Sequence, residues 1–223
     1  MLKLEWDFPV FMTEADTVAL EGSRAKSRRE ALPRDEAVKY VLGDDPRPVV
    51  VMRECGWCEG SDDALLSTRL DNERTLLMSH WFHMVKLPNH VLEEDHPFRN
   101  VFDGKDPAHL VVMSRDGSIV RPLSGEQSQT ELWNSLEEVL SEAYEGDPDK
   151  ALKRMVRVLD ELDELDDKGA RLAAKYEEIV EDKGPRSSKA KKLKKDLDKH
   201  EAKLAAARRQ MEELQDLPLK TGE

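Results

Sequence analysis

Cys55 and Cys58 are the only cysteines in this 223-residue chain, and they stand at C-x-x-C spacing. Two sulfurs so placed can close a small disulfide ring or supply half of a metal site. The thiolate is the reactive form of cysteine. At a helix N-terminus it faces free backbone N–H groups and the positive end of the helix dipole, both of which favour it. In that placement the first sulfur is exposed and the second shielded. Cys55 is then the attacking nucleophile, and Cys58 is the thiol that resolves a mixed disulfide. Disulfide scaffolds of secreted domains use more cysteines at wider spacing, so a structural framework is not the reading.

The histidines give a second possible chemistry. His80, His83, His90, His96 and His109 follow Cys58 by 22 residues or more. Cys₂His₂ is a real zinc ligand set, but its tight spacing is absent here. Ordinary hydrogen-bonded histidines fit better, and a Cys/His metal module stays as the lesser alternative. Met52, Met78, Met84 and Met113 read as core filling rather than copper ligands.

The elements around the cysteines decide what they can do. Val49-Val50-Val51-Met52 is an apolar, β-branched run bounded by turn residues, which predicts a strand buried on both faces. Ser61 to Leu70 predicts a helix with Leu65, Leu66 and Leu70 on one side, so the motif would lie where a strand ends and a helix begins. The stretch Thr75 to Leu87 predicts a second strand, from Leu76-Leu77-Met78 onward, and His109-Leu110-Val111-Val112-Met113 a third. Asp116-Gly117 signals a hairpin turn returning through Ser118-Ile119-Val120. Helices are expected from Pro33 to Leu42, with Gly43 as the stop, and from Gln127 to Tyr144, with Leu132, Leu136, Val139, Leu140 and Ala143 as a stripe. Trp6, Phe8, Val10 and Phe11 around Pro9 suit an edge strand or extended arm, and Gly22 to Arg29 a loop. Strands interleaved with helices predict an α/β domain with a mixed sheet.

Pro48-Val49-Val50-Val51, Cys55-Gly56-Trp57-Cys58, Pro107 leading into Leu110-Val111-Val112, Asp116-Gly117 and the closing helix around Trp133 together resemble the thioredoxin superfamily. The nearest pattern is that of bacterial thioredoxin-like proteins with a C-G-W-C motif, and the likeness covers about residues 34–145. The resemblance implies a thioredoxin-like sheet flanked by helices and a thiol–disulfide oxidoreductase acting on protein substrates without a cofactor. It implies catalytic roles for Cys55, Cys58 and Pro107, with a cis bond before Pro107 lying against the disulfide. It also implies substrate contacts from Gly56, Trp57 and Asp106. The chain departs from the pattern in three places. Glu54 replaces the usual aromatic before the first Cys, Val49 stands where thioredoxin itself has a buried Asp, and Glu59 follows the second Cys with Asp62 and Asp63 beyond it. These acids oppose a thiolate, and Arg53 partly offsets them.

The C-terminal third is different in kind. Leu152, Met155, Leu159 and Leu162 open one apolar seam; Leu193, Leu197, His200 and Leu204 belong to another, at three- and four-residue steps. Gly184-Pro185 breaks the two apart. An antiparallel two-helix coiled coil is predicted, with Tyr176 near Leu193, Ala173 near Leu197 and Gly169 near His200. The acidic run from Asp160 to Asp167 and the lysines from Lys189 to Lys195 suggest that the arms also pair by charge. A thin two-helix core leaves an apolar stripe for a second copy, another protein or the chain's own domain. The expected division is an N-terminal arm (1–33), a thioredoxin-like domain (34–146), the hairpin (147–217) and a tail (218–223).

The net charge of −12 argues against nucleic acid or an anionic membrane as main partner. No apolar run approaches the ~20 residues that span a bilayer. The first residues lack a signal-peptide pattern, so the cytoplasm is the expected compartment. The leading expectation is therefore a redox enzyme, with the hairpin for oligomerisation or docking. The alternatives are a non-catalytic thioredoxin-fold adaptor working through its coiled coil and the metal module.

Overall fold

The computed structural model describes residues 2–11, 30–54, 62–102 and 104–220. These divide into two compact units, residues 1–146 with 218–223, and residues 147–217.

The first unit is built on a four-stranded mixed sheet of β1 (Val49–Arg53), β2 (His83–Leu87), β3 (Leu110–Met113) and β4 (Val120–Leu123). The strand order is β2-β1-β3-β4. β1 runs parallel to β2 in the register Val49 to His83, and antiparallel to β3 in the register Val49 to Met113. β4 returns antiparallel on β3 through the Asp116-Gly117 turn, where Gly117 has φ +73 and the Asp116 carboxylate accepts from the Ser118 amide. β1 is buried on both faces because every residue from Val49 to Met52 is apolar. Val49 and Val51 face a core shared with Val85, Leu87 and Val111 and closed by Ala37 and Val41. Met52, Met78, Met84 and Met113 are all buried, as core filling requires.

Among the described residues this unit holds three α-helices: α1 (Arg34–Leu42), α2 (Glu73–Ser79) and α3 (Gln129–Ala143). α1 carries the expected early acids, and Gly43 ends it at φ 53. α3 is capped by Ser128, whose hydroxyl accepts from the Glu131 amide. The region between β1 and β2 differs from expectation. No helix forms from residue 62 to 70; turns run there instead. Leu76-Leu77-Met78, expected as strand, are the middle of α2. Asn72 accepts from the Ser67 amide and donates to the Ser67 carbonyl, which closes a turn and ends any helix before residue 70. Leu and Met are good helix formers, and a short apolar run does not by itself distinguish strand from buried helix.

The N-terminal arm lies along the outer edge of β2. The Asp7 amide donates to the Met84 carbonyl and the Lys86 amide to the Asp7 carbonyl, a parallel bridge one residue long. At the other end of the chain, Leu219 bridges Tyr144, and the Lys220 amide donates to the Ala143 carbonyl.

The second unit is a pair of long helices, α4 (Pro148–Lys183) and α5 (Ser188–Gln215), packed on each other. Asp147 and Ser187 cap their N-termini by accepting from the Lys150 and Ala190 amides, and Gly184 ends α4 with φ 79. Gly169 lies against His200, as the expected register has it, and the His200 Nε2–H donates to the Leu165 carbonyl at 2.7 Å. That register carries the acidic run past the lysine run. With residue 169 opposite residue 200 in an antiparallel pair, Asp160–Asp167 lies across from about residues 202–209. His200 fits this alignment by size and by its hydrogen bond, and the acidic run falls opposite Lys203, Arg208 and Arg209 rather than the Lys189–Lys195 run. Of the expected exposed apolar stripe, half-buried seam residues such as Tyr176, Ile179, Leu193 and Leu197 remain, while the exposed large apolar side chains among the described residues are Phe8, Val10, Tyr40 and Leu70.

A Cβ on residue 169 would come within 2.8 Å of His200 Cε1. Gly169→Ala should therefore destabilise the hairpin, although the same change in an open helix stabilises by about 1 kcal/mol. In a His200→Ala background the sign should reverse. Urea unfolding of the four variants checks this.

Candidate functional site at the C-terminal end of β1

Cys55, Gly56, Trp57, Cys58 and Glu59 lie outside the described residues, and so does the expected start of a helix at Ser61. The residues on either side of that segment are described and firmly held. Before it, the Arg53 amide donates to the His109 carbonyl at 3.1 Å and the Glu54 amide to the Leu87 carbonyl at 2.8 Å. The Arg53 guanidinium reaches across to β3, donating from Nε to the Ala108 carbonyl at 2.9 Å and from Nη2 to the Pro107 carbonyl at 3.2 Å. The loop leading into β3 is thereby fixed beside the strand end from which residue 55 departs. Burial pushes the Arg53 pKa down and the Asp106 charge opposes that push.

After the segment, Asp62 is pinned. Its carboxylate accepts from Lys86 Nζ at 2.7 Å and from Trp6 Nε1 at 3.3 Å. The Lys86 ammonium also sits 5.1 Å from the centre of the Trp6 ring, within cation–π range. The two flanks of residues 55–61 are thus tied to consecutive residues of β2, Leu87 and Lys86. The Asp62 charge, expected to oppose a thiolate, is answered by this ammonium.

Pro107 and Asp106 are near the strand end through Arg53, with Pro107 half-buried and Asp106 exposed. The bond before Pro107 is not cis: no peptide bond among the described residues is. Trans is the ordinary state of an X–Pro bond, and the loop takes its place through the Arg53 fork on two carbonyls. Lys86 and Trp6 were not anticipated from sequence. The available signal was a lone lysine inside the buried run His83-Met84-Val85-Lys86-Leu87, since a buried ammonium must have a partner.

Next to Asp62, a groove of about 370 Å³ is lined by Asp63, Leu66, Leu70, Gln127 and Leu132 among others. Gln127 braces it, donating to the Ala64 carbonyl at 2.6 Å and accepting from the Gly125 amide at 2.8 Å.

The histidines are spread through the unit. His83 Nε2 lies 3.2 Å from the Asp7 carboxylate, and the His90 and His96 rings meet edge-on at 5.1 Å. Among the described residues no group of three or more His, Cys, Asp or Glu side chains could hold a metal ion. Burial, joined by the Arg53 charge, pushes the His109 pKa below its ordinary 6.5. Burial, joined by the Arg47 charge and opposed by Glu5, does the same for His80. Below pH 6.5 the unfolded chain takes up protons at these positions that the folded chain resists, so stability falls with pH there and is regained above it. The urea midpoint should drop between pH 7.5 and pH 5.5, and His80→Asn with His109→Asn should flatten that drop.

The described residues define an α/β protein with a four-stranded mixed sheet, and in the sequence the C-x-x-C follows its central strand β1. The chain matches no family model, no curated protein and no solved structure at a significant level. No helix among the described residues is long and apolar enough to cross a membrane.

Proposed function

We propose that this chain is a thiol–disulfide oxidoreductase of thioredoxin-like fold that acts on protein thiols or disulfides through Cys55 and Cys58. One observation carries the reading: the Arg53 and Glu54 amides fix the strand end just before Cys55, and the Arg53 guanidinium holds the Pro107 and Ala108 carbonyls beside it. The strand order supports it, because a parallel β1–β2 pair followed by an antiparallel β3–β4 return is the layout a thioredoxin-like sheet requires. In the reaction, the Cys55 thiolate attacks one sulfur of a substrate disulfide and the other sulfur leaves as a thiolate. Cys58 then attacks Cys55, releasing the second substrate thiol and leaving the enzyme pair oxidised. The hairpin serves oligomerisation or docking.

The test is substrate trapping. Cys58→Ser should accumulate mixed disulfides on Cys55 that dissolve in reductant, while Cys55→Ser should accumulate none. Equal labelling of both variants, or of neither, would instead favour an adaptor that works through its helices.

A further inference from the structure

The hairpin is charge-segregated along its length, and His200 against Gly169 marks the divide. The distal half, residues 168–200, carries eleven Lys and Arg against six Asp and Glu, a net +5. The proximal half, residues 147–167 and 201–217, carries seven Lys and Arg against twelve Asp and Glu, a net −5. All eleven basic residues of the distal half are exposed, as are the six acids of the Asp160–Asp167 run. Within the chain these groups do not answer one another. The register holds the acidic run clear of Lys189–Lys195 and sets it across from Lys203, Arg208 and Arg209, yet the ion pairs formed inside the hairpin among the described residues are only the local Lys153–Asp149 and Lys183–Asp182.

We propose that a second copy of this chain docks on the hairpin, the two hairpins lying antiparallel so that each basic distal half covers the acidic proximal half of the other. The surface is self-complementary in sign and in magnitude, which is what a two-fold, isologous interface demands. Seam residues such as Tyr176, Ile179, Leu193 and Leu197 are only half-buried in the single hairpin, so a partner also offers further apolar burial. A phosphate backbone could meet the lysines alone, but it would leave the matching acidic half unanswered and would approach a chain of net charge −12. This proposal does not depend on the cysteine chemistry.

The experiment is sedimentation of the full chain, kept reduced so that no intermolecular disulfide can supply a dimer. At about 0.05 M salt the mass should be twice that of one chain, falling to one chain at about 0.5 M as screening shortens the reach of the charges. Lys191→Glu, Lys194→Glu and Lys195→Glu together should give a monomer even at low salt. So should Asp160→Lys, Asp163→Lys and Asp167→Lys together, and mixing the two reversed variants should restore the doubled mass. Unchanged helical circular dichroism keeps misfolding out of the comparison. A monomer at low salt, a dimer that survives either reversal, or a mixture that stays monomeric would overturn the proposal. So would a monomeric chain that shifts a short DNA duplex, which would assign the basic half to a phosphate backbone.

Discussion

Cys55→Ser is expected to lower disulfide reduction by at least about a thousandfold, since it removes the attacking atom itself. Cys58→Ser should behave differently. Its Cys55 still attacks, so one substrate equivalent reacts in a burst, and turnover then waits for an external thiol to resolve the mixed disulfide. The contrast between a missing burst and a stalled burst separates the two roles, which a simple loss of activity would not. The burst rate should rise with pH as the thiolate fraction grows. Glu54 and Glu59 lie beside the sulfurs in sequence and work against the thiolate, whereas Asp62 is paired with Lys86. Stopped-flow measurement of the burst on a small aromatic disulfide gives both quantities.

Asp62→Ala should cost about 3 kcal/mol of stability, a large effect for one residue whose side chain is partly exposed. The reason is the partner. The Lys86 side chain is only 7% exposed while that of Asp62 is 24% exposed, so losing the carboxylate strands an ammonium inside the protein. The reverse change, Lys86→Met, leaves a carboxylate that can turn to water and should cost about 1 kcal/mol or less. The double variant should be far more stable than Asp62→Ala alone. Urea unfolding of the three variants, followed in the first unit, checks the order. Equal losses from the two single changes would mean that the pair is solvated and does not anchor the chain after the cysteine segment.

The parts of this fold that were legible in the sequence are those where one physical demand acts alone. Val49–Met52, β-branched and bounded by turn residues, reads as a doubly buried strand, and Asp116-Gly117 as a hairpin turn. Gly169 and His200 found each other because one large polar side chain in an apolar seam needs one small residue opposite. Legibility failed where two demands competed. Residues 62–79 hold apolar runs that satisfy either period, and the Ser67–Asn72 turn, which decides between them, is a side-chain event invisible to periodicity. The acidic run and the Lys189–Lys195 run look like partners in the sequence, yet the register that sets Gly169 against His200 places them at different heights along the hairpin. Lys86 was hidden by its neighbours, since a strand of otherwise apolar character draws attention to the core and away from the single charge it must satisfy. The Pro107 loop was found as a neighbour of the strand end but not through the agent that places it. Arg53 holds it, by contacts between residues 54 and 55 positions apart in the chain.

The central claim is that Cys55 and Cys58 form one reversible two-electron couple. Equilibrating the protein in glutathione buffers of graded potential and counting free thiols by alkylation and mass reads this directly. A single transition with both thiols appearing together, at a midpoint between about −270 and −120 mV, is the expected result. Thiols that remain reduced across the whole range, or that oxidise only between chains, would contradict it.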